Sequence, residues 1–405
     1  MQPGINSLPR TGLAALLAQL DLPGEIQLPN GSIVAVCNGN GSPAPVYRVI
    51  FRSERALRTP MNELAIGEAY ITDAIDVEGN LGALFSARQH LREKVPLRQK
   101  IQFAYDYLRT ATKMNSQAIV EHYDRGDELY HAFIDKDWRF YSQGLFQSGI
   151  PEKSIEEASR HKLNVMWDRL GLKAGMRILD IGGGWGGVTQ YCSPRGVHVT
   201  TLTLSHNGAR YIQQLIEDKN LSGRAQVYLQ DFLNHNPTEP YDAAVSLGSI
   251  EHLPDYRRFA RTVYGVLKPG GRLYLDGSAT VTKFAASSFT RRYVWPGAHT
   301  FMTVQDVMGE LLLHGFEVME IVNETRDYSL TMFEWARRLD EARDEIIAGW
   351  GEETYRVFRI FLWGGAHAFE TNSLQAYHIV AERTPEKGPR PGTLKRIVQF
   401  LGKLR

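Results

Sequence analysis

The stretch RILDIGGGWGGV, residues 177–188, constrains the fold more than any other part of the chain. Its first residues are apolar and predict a short buried strand that Asp180 closes. Gly182, Gly184 and Gly186 follow at alternate positions and predict a tight turn into a helix, because glycine accepts a positive φ and lets a ligand approach the backbone. A strand, a glycine loop and a helix in this order are typical of the nucleotide cradle of doubly wound sheets.

The spacing around this loop distinguishes between candidate ligands. A phosphate-binding P-loop is excluded because no Gly-Lys-Ser/Thr follows, and a dinucleotide site would need GxGxxG with an acid about 20 residues further on. Here the glycines run GxGxG, and the next predicted strand, 197–204, ends without an acid. Asp180 and the pair Gln230-Asp231 favour S-adenosylmethionine (SAM) instead. An ordinary strand-to-helix turn that binds nothing is the alternative.

Downstream of the loop, strands and helices alternate, which predicts an α/β fold with a mostly parallel sheet and helices on both faces. Strands are predicted at 197–204, 225–229, 243–247 and 272–275, and helices at 155–170, 208–219 and 256–267. Ligands of such folds bind beyond the carboxyl ends of the strands. The polar residues at these ends are Asp180, Ser205, Gln230, Asp231, residues 249–252 and Asp276. Their convergence predicts a single site.

Composition limits the function classes. A chain of 405 residues indicates two or three domains, and a formal net charge of +1 excludes the overall basic footprint of a nucleic-acid-binding protein. Cys37 and Cys192 indicate neither a disulfide framework nor a metal site, which is typical of a reducing cytosol. Since the chain shows no signal-peptide core and no apolar run of roughly 20 residues, we expect it to be cytoplasmic and to meet a membrane only at its surface.

Residues 1–115 are predicted to form a smaller N-terminal α+β domain. Its predicted helices are 13–20 and 56–63, and its strands are 25–28, 32–37 and 46–51. Asn30-Gly31 predicts a hairpin between the first two strands. We expect this domain to serve packing, substrate presentation or contact between the subunits of a homodimer.

Residues 116–384 are predicted to form the catalytic domain, which follows a partly basic helix at 91–114 that either faces solvent or contacts anionic lipid. The tyrosines, tryptophans and acids of 119–146 predict an aromatic lid over the ligand or ordinary aromatic packing. Residues 385–405 are a Pro/Gly linker followed by TLKRIVQFLGKLR, a basic amphipathic helix. Such a tail suits an anionic bilayer surface, or else it docks on the domain.

Several phrases, in order along the chain, resemble the cyclopropane-fatty-acid synthases, a family of SAM-dependent methyltransferases. They are HYDRGDELY, FYSQG, LDIGGGWGG, TLTLS, YLQD, LGSIEHL, DYSLTMFEW and FLWGGAHAF. The resemblance covers nearly the whole chain, whereas LDIGGGWGG alone would indicate only a methyltransferase. It implies a class I SAM-methyltransferase fold and, as substrate, an unsaturated acyl chain that is commonly part of a membrane phospholipid.

The resemblance also assigns residues to the cofactor. In the family, SAM is held by a tyrosine-serine pair, the glycine loop, a threonine-x-serine turn and a polar pair after the third strand. The matching positions are Tyr141, Ser142, Gly182, Gly184, Thr203, Leu204, Ser205, Gln230 and Asp231.

For catalysis, the family is known for a bicarbonate ion, held by Cys, Glu, His and Tyr, that takes the proton as the ring closes. Glu251 and Tyr328 match this set, but Gln143 stands at the cysteine position and Asp276 at the histidine position. A carboxylate at Asp276 would repel bicarbonate, which makes that cofactor doubtful. Either the anion is held differently, or Asp276 or Glu251 takes the proton. Alternatively, Glu251 stabilises a helix N-terminus, Tyr328 packs in the core and Asp276 caps a loop.

The sequence therefore predicts a C-methyltransferase of lipid biosynthesis that acts on the double bond of unsaturated fatty acyl chains at the inner face of the membrane. The product is a cyclopropane or a methylene- or methyl-branched chain, depending on where the proton leaves. A methyltransferase for another olefinic small molecule stays open as an alternative, as does a non-catalytic SAM- or lipid-binding relative.

Overall fold

The computed structural model describes residues 8, 12–18, 22–36, 44–85, 126–146, 154–282, 287–295 and 300–385. The predicted basic helix at 91–114 and the predicted amphipathic tail lie outside these residues. The chain divides into two compact units, each described by itself. The first comprises 1–134, 285–299 and 325–374, and the second comprises 135–284, 300–324 and 375–405. The domain limits given above stay predictions.

The elements are numbered in chain order. The strands are β1 (Gly24–Gln27), β2 (Ile33–Val36), β3 (Tyr47–Phe51), β4 (Ile75–Gly79), β5 (Arg177–Ile181), β6 (His198–Thr203), β7 (Ala225–Leu229), β8 (Tyr241–Leu247), β9 (Leu267–Ala279), β10 (Phe316–Asn323) and β11 (Gln375–Arg383). The helices are α1 (Leu13–Leu17), α2 (Glu63–Ile71), α3 (Leu81–Leu84), α4 (Asp127–His131), α5 (Ile155–Leu170), α6 (Gly187–Cys192), α7 (His206–Asp218), α8 (Tyr256–Val266), α9 (Val304–Leu313), α10 (Thr325–Glu341), α11 (Arg343–Trp350) and α12 (Glu352–Glu370). None of the described helices combines the length and apolarity required to cross a membrane.

The first unit contains a four-stranded sheet in the order β2-β1-β3-β4. β1 and β2 pair antiparallel through the turn at Asn30-Gly31, so the predicted hairpin is confirmed. The helix predicted over 56–63 is wrong in extent, because only Ala56–Arg58 form a short 3-10 helix within that range. Asn62 Oδ1 accepts a backbone N–H at 2.9 Å and caps a helix, α2, that begins only at Glu63.

The second unit is built on a seven-stranded sheet in the order β10-β11-β9-β8-β5-β6-β7. The five strands β5 to β9 pair parallel, and β11 pairs antiparallel with β9 and β10. Alternate residues of β5 enter cores on opposite faces: Leu179 and Ile181 lie in one cluster and Ile178 in the other. The predicted mostly parallel, doubly wound α/β fold with a smaller N-terminal domain is confirmed.

Two strands of this sheet extend further than the sequence predicts. Asp180 lies inside β5, where it pairs with strands on both sides, instead of closing the strand. The strand predicted at 272–275 is wrong in extent, because Leu267 pairs with Tyr241 and pairing with β8 resumes at Arg272. Asp276 therefore lies within the sheet, between β8 and β11.

Candidate active site

The glycine loop between β5 and α6 has the backbone that its sequence predicts. Gly182, Gly184 and Gly186 have φ of +77°, +53° and +83°, a region that other residues rarely adopt. A Cβ at Gly182 would lie 2.7 Å from the Ser249 Cβ, so the loop packs against the segment that follows β8. A Cβ at Gly184 would meet no described atom within 4 Å. The loop therefore leaves open space where a ligand can approach the backbone.

Two further cofactor segments lie at the carboxyl ends of β6 and β7. Ser205 Oγ accepts a backbone N–H at 3.0 Å and caps α7, and Thr203 Oγ1 accepts the Ser205 N–H at 3.1 Å. These bonds fix the turn that contains the half-buried Leu204. Gln230 N–H donates to Thr203 O at 2.9 Å, and Asp231 Oδ1 accepts a backbone N–H of the following turn at 2.8 Å. The structure thus brings these residues to one edge of the sheet, and their contact with SAM stays a prediction.

The segment 141–143 lies against α5 and the loop after β8. Tyr141 is half-buried and Ser142 is buried. Ser142 Oγ accepts a hydrogen bond of 2.7 Å from Lys162 Nζ. A Cβ at Gly248 would lie 2.8 Å from the Ser142 Cβ, which shows that the segment and the loop are in close contact.

Glu251 has one oriented and one available carboxylate oxygen. Its side chain is buried, and Oε1 accepts two hydrogen bonds of 2.8 Å, from the Ser278 N–H and hydroxyl. Oε2 has no hydrogen-bond partner among the described residues. Burial raises the pKa of Glu251 to about 7. The two hydrogen bonds from Ser278 lower this pKa, and the negative charge of Asp276 raises it further. This carboxylate can take up a proton near neutral pH.

Asp276, the other candidate base, is engaged on both oxygens. Its Oδ2 lies 2.8 Å from Lys162 Nζ in an ion pair whose two side chains are fully buried. Its Oδ1 accepts the Gly248 N–H at 2.7 Å. Burial raises the pKa of Asp276, the Lys162 charge opposes this increase, and the charge of Glu324 adds to it. Both oxygens of Asp276 therefore have an ion-pair or hydrogen-bond partner, whereas Oε2 of Glu251 has no hydrogen-bond partner among the described residues.

Gln143 is buried in contact with a second polar pair, the carboxyl group of Glu324 and the imidazole of His378. Its Nε2 donates to Glu324 Oε2 at 2.6 Å, and the other oxygen of Glu324 lies 2.5 Å from His378 Nδ1. The His378 ring stacks on Tyr274 with centroids 4.9 Å apart and lies opposite Asp276 in the β9–β11 pairing. We refer to the following residues together as the buried polar cluster: Ser142, Gln143, Lys162, Asp276, Glu324 and His378.

Sequence reasoning missed three members of this cluster, namely Lys162, Glu324 and His378. Only Lys162 carries a signal in the sequence, because it falls on the buried face of α5 between Ala158 and Met166. Glu324 directly follows the edge strand β10, and His378 lies in β11; the neighbouring sequence does not mark either side chain as the buried partner of another polar group.

Tyr328 belongs to the first unit, whereas the other predicted catalytic residues belong to the second. Its ring stacks on Phe369 with centroids 4.3 Å apart, and the Trp335 ring lies edge-on at 6.4 Å. These contacts fix the ring on α10. A catalytic role for Tyr328 stays a prediction.

Comparison with known proteins decides the family. The profile described as mycolic acid cyclopropane synthetase matches residues 110–379, which is more than half of the chain. The chain belongs to the mycolic acid cyclopropane synthetase family. The resemblance predicted from the sequence phrases is thereby confirmed.

Proteins that are similar in sequence to this chain carry different names. A probable fatty acid methyltransferase of Mycobacterium tuberculosis is 32% identical over 281 residues, 68% of this chain and 64% of that protein. A sphingolipid C9-methyltransferase of Candida albicans is 26% identical over 282 residues, 66% of this chain and 55% of that protein. The cyclopropane-fatty-acyl-phospholipid synthase of Escherichia coli K12 is 30% identical over 275 residues, 67% of this chain and 69% of that protein. The chain thus spans less than two thirds of the first two relatives.

A solved structure from the mycolic acid cyclopropane synthetase family has the same fold. The cyclopropane synthase of Mycobacterium tuberculosis superposes with a TM-score of 0.61 at 26% identity, covering 66% of this chain and 98% of that chain. SAM is the cofactor of this chain. The open side of the glycine loop, where a Cβ at Gly184 would meet nothing within 4 Å, fits this cofactor.

The second unit does not fit the bicarbonate ion that the family resemblance implies. An anion needs hydrogen-bond donors, but Lys162 Nζ is paired with Asp276 and Gln143 Nε2 is bonded to Glu324. Glu251, Asp276 and Glu324 are all buried carboxyl groups. Bringing a further negative charge among them would be unfavourable, because buried charges need partners.

Proposed function

We propose that the protein is a SAM-dependent C-methyltransferase that acts on the double bond of unsaturated fatty acyl chains, bound to phospholipid. The observation that carries the proposal is the Glu251 carboxylate, which has one oxygen free among the described residues and a pKa of about 7. Methyl transfer to an alkene leaves a carbocation that must lose a carbon-bound proton, so it needs such an acceptor in a buried site. The relatives support a long-chain lipid substrate, since their names refer to fatty acids, sphingolipids and acyl-phospholipids.

SAM, when bound, supplies an electrophilic methyl group. The alkene π electrons form the new carbon–carbon bond, the methyl–sulfur bond breaks with its electrons on sulfur, and a carbocation remains on the chain. Loss of one proton restores neutrality, so the product has one CH2 more than the substrate. The base is needed only after methyl transfer, because the alkene carbons release no proton before attack. The reaction therefore requires positioning and a proton acceptor, and no oxidant or reductant.

In this proposal Glu251 is the proton acceptor, because Ser278 orients one of its oxygens and leaves the other available. The position of the lost proton sets the product. Loss from the transferred methyl closes a cyclopropane or, after a hydride shift along the chain, gives a methylene branch. Loss from a neighbouring chain carbon gives a methyl-branched alkene. Since Gln143 and Asp276 replace the family's cysteine and histidine, we favour a branched product over the ring.

The test is methyl transfer to vesicles of dioleoylphosphatidylglycerol by the full chain, with SAM that carries a trideuterated methyl group. Mass spectrometry of the acyl chains is expected to show two retained deuterons for a ring or a methylene branch and three for a methyl-branched alkene. NMR of the product made with unlabelled SAM then separates ring protons from vinylidene protons. Vesicles of dipalmitoylphosphatidylglycerol, which lack the double bond, are the control and should stay unlabelled.

Two outcomes would contradict the proposal. Unlabelled acyl chains in the presence of bound SAM would exclude this activity on phospholipid. A second arm of the experiment uses an unsaturated ceramide, because one relative is named for a sphingolipid substrate. If label appears only in that arm, the substrate is a sphingoid chain and not a phospholipid acyl chain.

Peripheral membrane association is part of the proposal, because an acyl chain of a phospholipid lies in a bilayer. Its support is the basic amphipathic segment predicted from the sequence at 393–405.

A further inference from the structure

Lys162 is a fully buried lysine, which is rare in proteins unless the charge is paired. Its Nζ lies 2.7 Å from Ser142 Oγ and 2.8 Å from Asp276 Oδ2. The ammonium group also lies over the Phe140 ring, 5.1 Å from the centroid. Lys162 projects from α5, a helix that contains none of the residues predicted from the family. Lys162 therefore connects Ser142, in a predicted cofactor-binding segment, with Asp276, a predicted catalytic residue, although it is part of neither prediction.

We propose that Lys162 is a positioning residue that couples SAM binding at residues 141–142 to the carboxylate of Asp276. The inference rests on the proposed function only through SAM binding, and it does not depend on the lipid substrate. Lys162 touches neither the acyl chain nor the reacting atoms in this proposal. It acts through the two side chains that share its ammonium group.

The contacts of Lys162 and its partners form a closed ring within the second unit, in which each group touches the next. Lys162 holds Ser142 and Asp276, and Asp276 Oδ1 accepts the N–H of Gly248 at 2.7 Å. Gly248 in turn packs on Ser142, since a Cβ there would lie 2.8 Å from the Ser142 Cβ. A shift of the segment 141–143 is therefore transmitted to the β8 loop and to β9.

This ring of contacts depends on the positive charge of Lys162. Removing the ammonium group would leave the Asp276 carboxylate buried without its cation and close enough to Glu324 to sense its charge. An uncompensated buried charge is strongly unfavourable, so Asp276 would take up a proton or draw solvent towards itself. Ser142 would lose its donor in the same step. Replacing both charged partners by neutral groups avoids the unpaired charge.

The experiment measures SAM dissociation constants by calorimetry with the full chain. Lys162→Met is expected to weaken SAM binding at least tenfold, and Lys162→Met/Asp276→Asn is expected to recover part of that loss. Ser142→Ala should weaken binding in the wild-type background and change it much less in the Lys162→Met background. Lys268→Met is the control for removing a lysine–aspartate pair, because Lys268 Nζ lies 2.5 Å from Asp242 Oδ1 near the amino ends of β8 and β9. This variant should leave SAM affinity within twofold.

A purely structural role for Lys162 predicts a different pattern. It would lower the thermal unfolding midpoint and the fraction of protein able to bind, while the dissociation constant of the folded fraction would stay at the wild-type value. That result, or additive effects of Ser142→Ala and Lys162→Met, would overturn the proposal.

If Lys162→Met does not fold, Asp276→Asn and the double variant decide the question: wild-type affinity in both would overturn the coupling, and weakened binding in Asp276→Asn would support it. Wild-type methylation of oleoyl chains is measured separately, so the proposed function and the coupling can fail independently.

Discussion

Gly277 lies directly against the carboxylate of Glu251. A Cβ built at position 277 would lie 3.1 Å from Glu251 Oε2 and 2.7 Å from the Ile250 Cγ2. Gly277 stands on β9 between Asp276, which is paired with Lys162, and Ser278, which holds the other oxygen of Glu251. The absence of a side chain at this one strand position leaves room for the carboxylate.

Gly277→Ala is therefore expected to displace the Glu251 carboxylate and lower the methylation rate at least tenfold with little change in SAM affinity. The added methyl group meets a packed side chain and a carboxylate oxygen, and neither can move freely in a buried site. Steady-state rates and SAM calorimetry measure the two effects. Gly265→Ala is the control, since its Cβ would meet nothing within 4 Å on the exposed face of α8 and should stabilise the fold by about 0.5–1 kcal/mol. An unchanged rate in Gly277→Ala would contradict the placement.

Glu251→Gln keeps the shape of the side chain and removes its charge. We expect the rate to fall roughly 10²–10⁴-fold, as for loss of a general base. The folded-state pKa of about 7 exceeds the ordinary value of 4.5, so the folded protein holds a proton that the unfolded chain has lost between these values. The contribution of Glu251 to stability therefore falls as pH rises from about 4.5 to 7. The Glu251→Gln variant has no ionisable group at this position, so its stability should not show this decrease.

Urea unfolding of wild type and Glu251→Gln at pH 5 and pH 8 measures this difference. From pH 5 to pH 8, the free energy of unfolding of the variant should increase relative to that of the wild type by up to roughly 3 kcal/mol, since one pKa unit corresponds to about 1.36 kcal/mol. Parallel pH dependences of the two proteins would show that Glu251 does not titrate in this range.

Gly184→Val is expected to abolish SAM binding while the fold persists, because it places a branched side chain in the open space of the loop. Calorimetry measures binding, and circular dichroism measures the fold. Gly175→Val controls for backbone strain: Gly175 has φ +85° against +53° at Gly184, its Cβ would also meet nothing within 4 Å, and it lies before the amino end of β5. Equal loss of SAM affinity in both variants would refute a direct contact at Gly184.

Methylation by the wild type is expected to proceed at the same rate in carbon-dioxide-free buffer and with added bicarbonate, because the donors near Asp276 are already paired. Gln143→Cys/Asp276→His restores the residues that the family has at these positions and removes one buried carboxylate. If this variant stays active, bicarbonate should raise its rate. Stimulation of the wild type by several-fold would refute the prediction.

Deleting residues 393–405 is expected to reduce co-sedimentation with anionic vesicles. The loss should be largest at low salt, because exposed charges are screened within about 10 Å at 0.1 M. SAM affinity measured on the same preparation serves as the control for folding. Equal sedimentation of the truncated and full chains would show that the segment does not carry membrane binding.

Local sequence determined the glycine loop, the hairpin at Asn30-Gly31 and the alternation of strands and helices. Each depends on a short-range property, namely the backbone freedom of glycine or the spacing of apolar residues. Such patterns define where an element occurs better than where it ends. Thus the range predicted as one helix, 56–63, contains a short 3-10 helix at Ala56–Arg58, and the next helix begins only after the cap at Asn62. β9 is longer than predicted because it pairs with β8 and β11.

Only the tertiary structure decided how the polar groups of the site are paired. Gln143 and Glu324 are 181 residues apart in sequence, and Lys162 reaches Asp276 from a helix outside the family's motif phrases. The sequence shows which of these residues can ionise, whereas burial and the partner of each group depend on how distant elements pack. For that reason the sequence leaves either Glu251 or Asp276 as the base, whereas in the fold Asp276 is paired with Lys162 and Oε2 of Glu251 has no hydrogen-bond partner among the described residues.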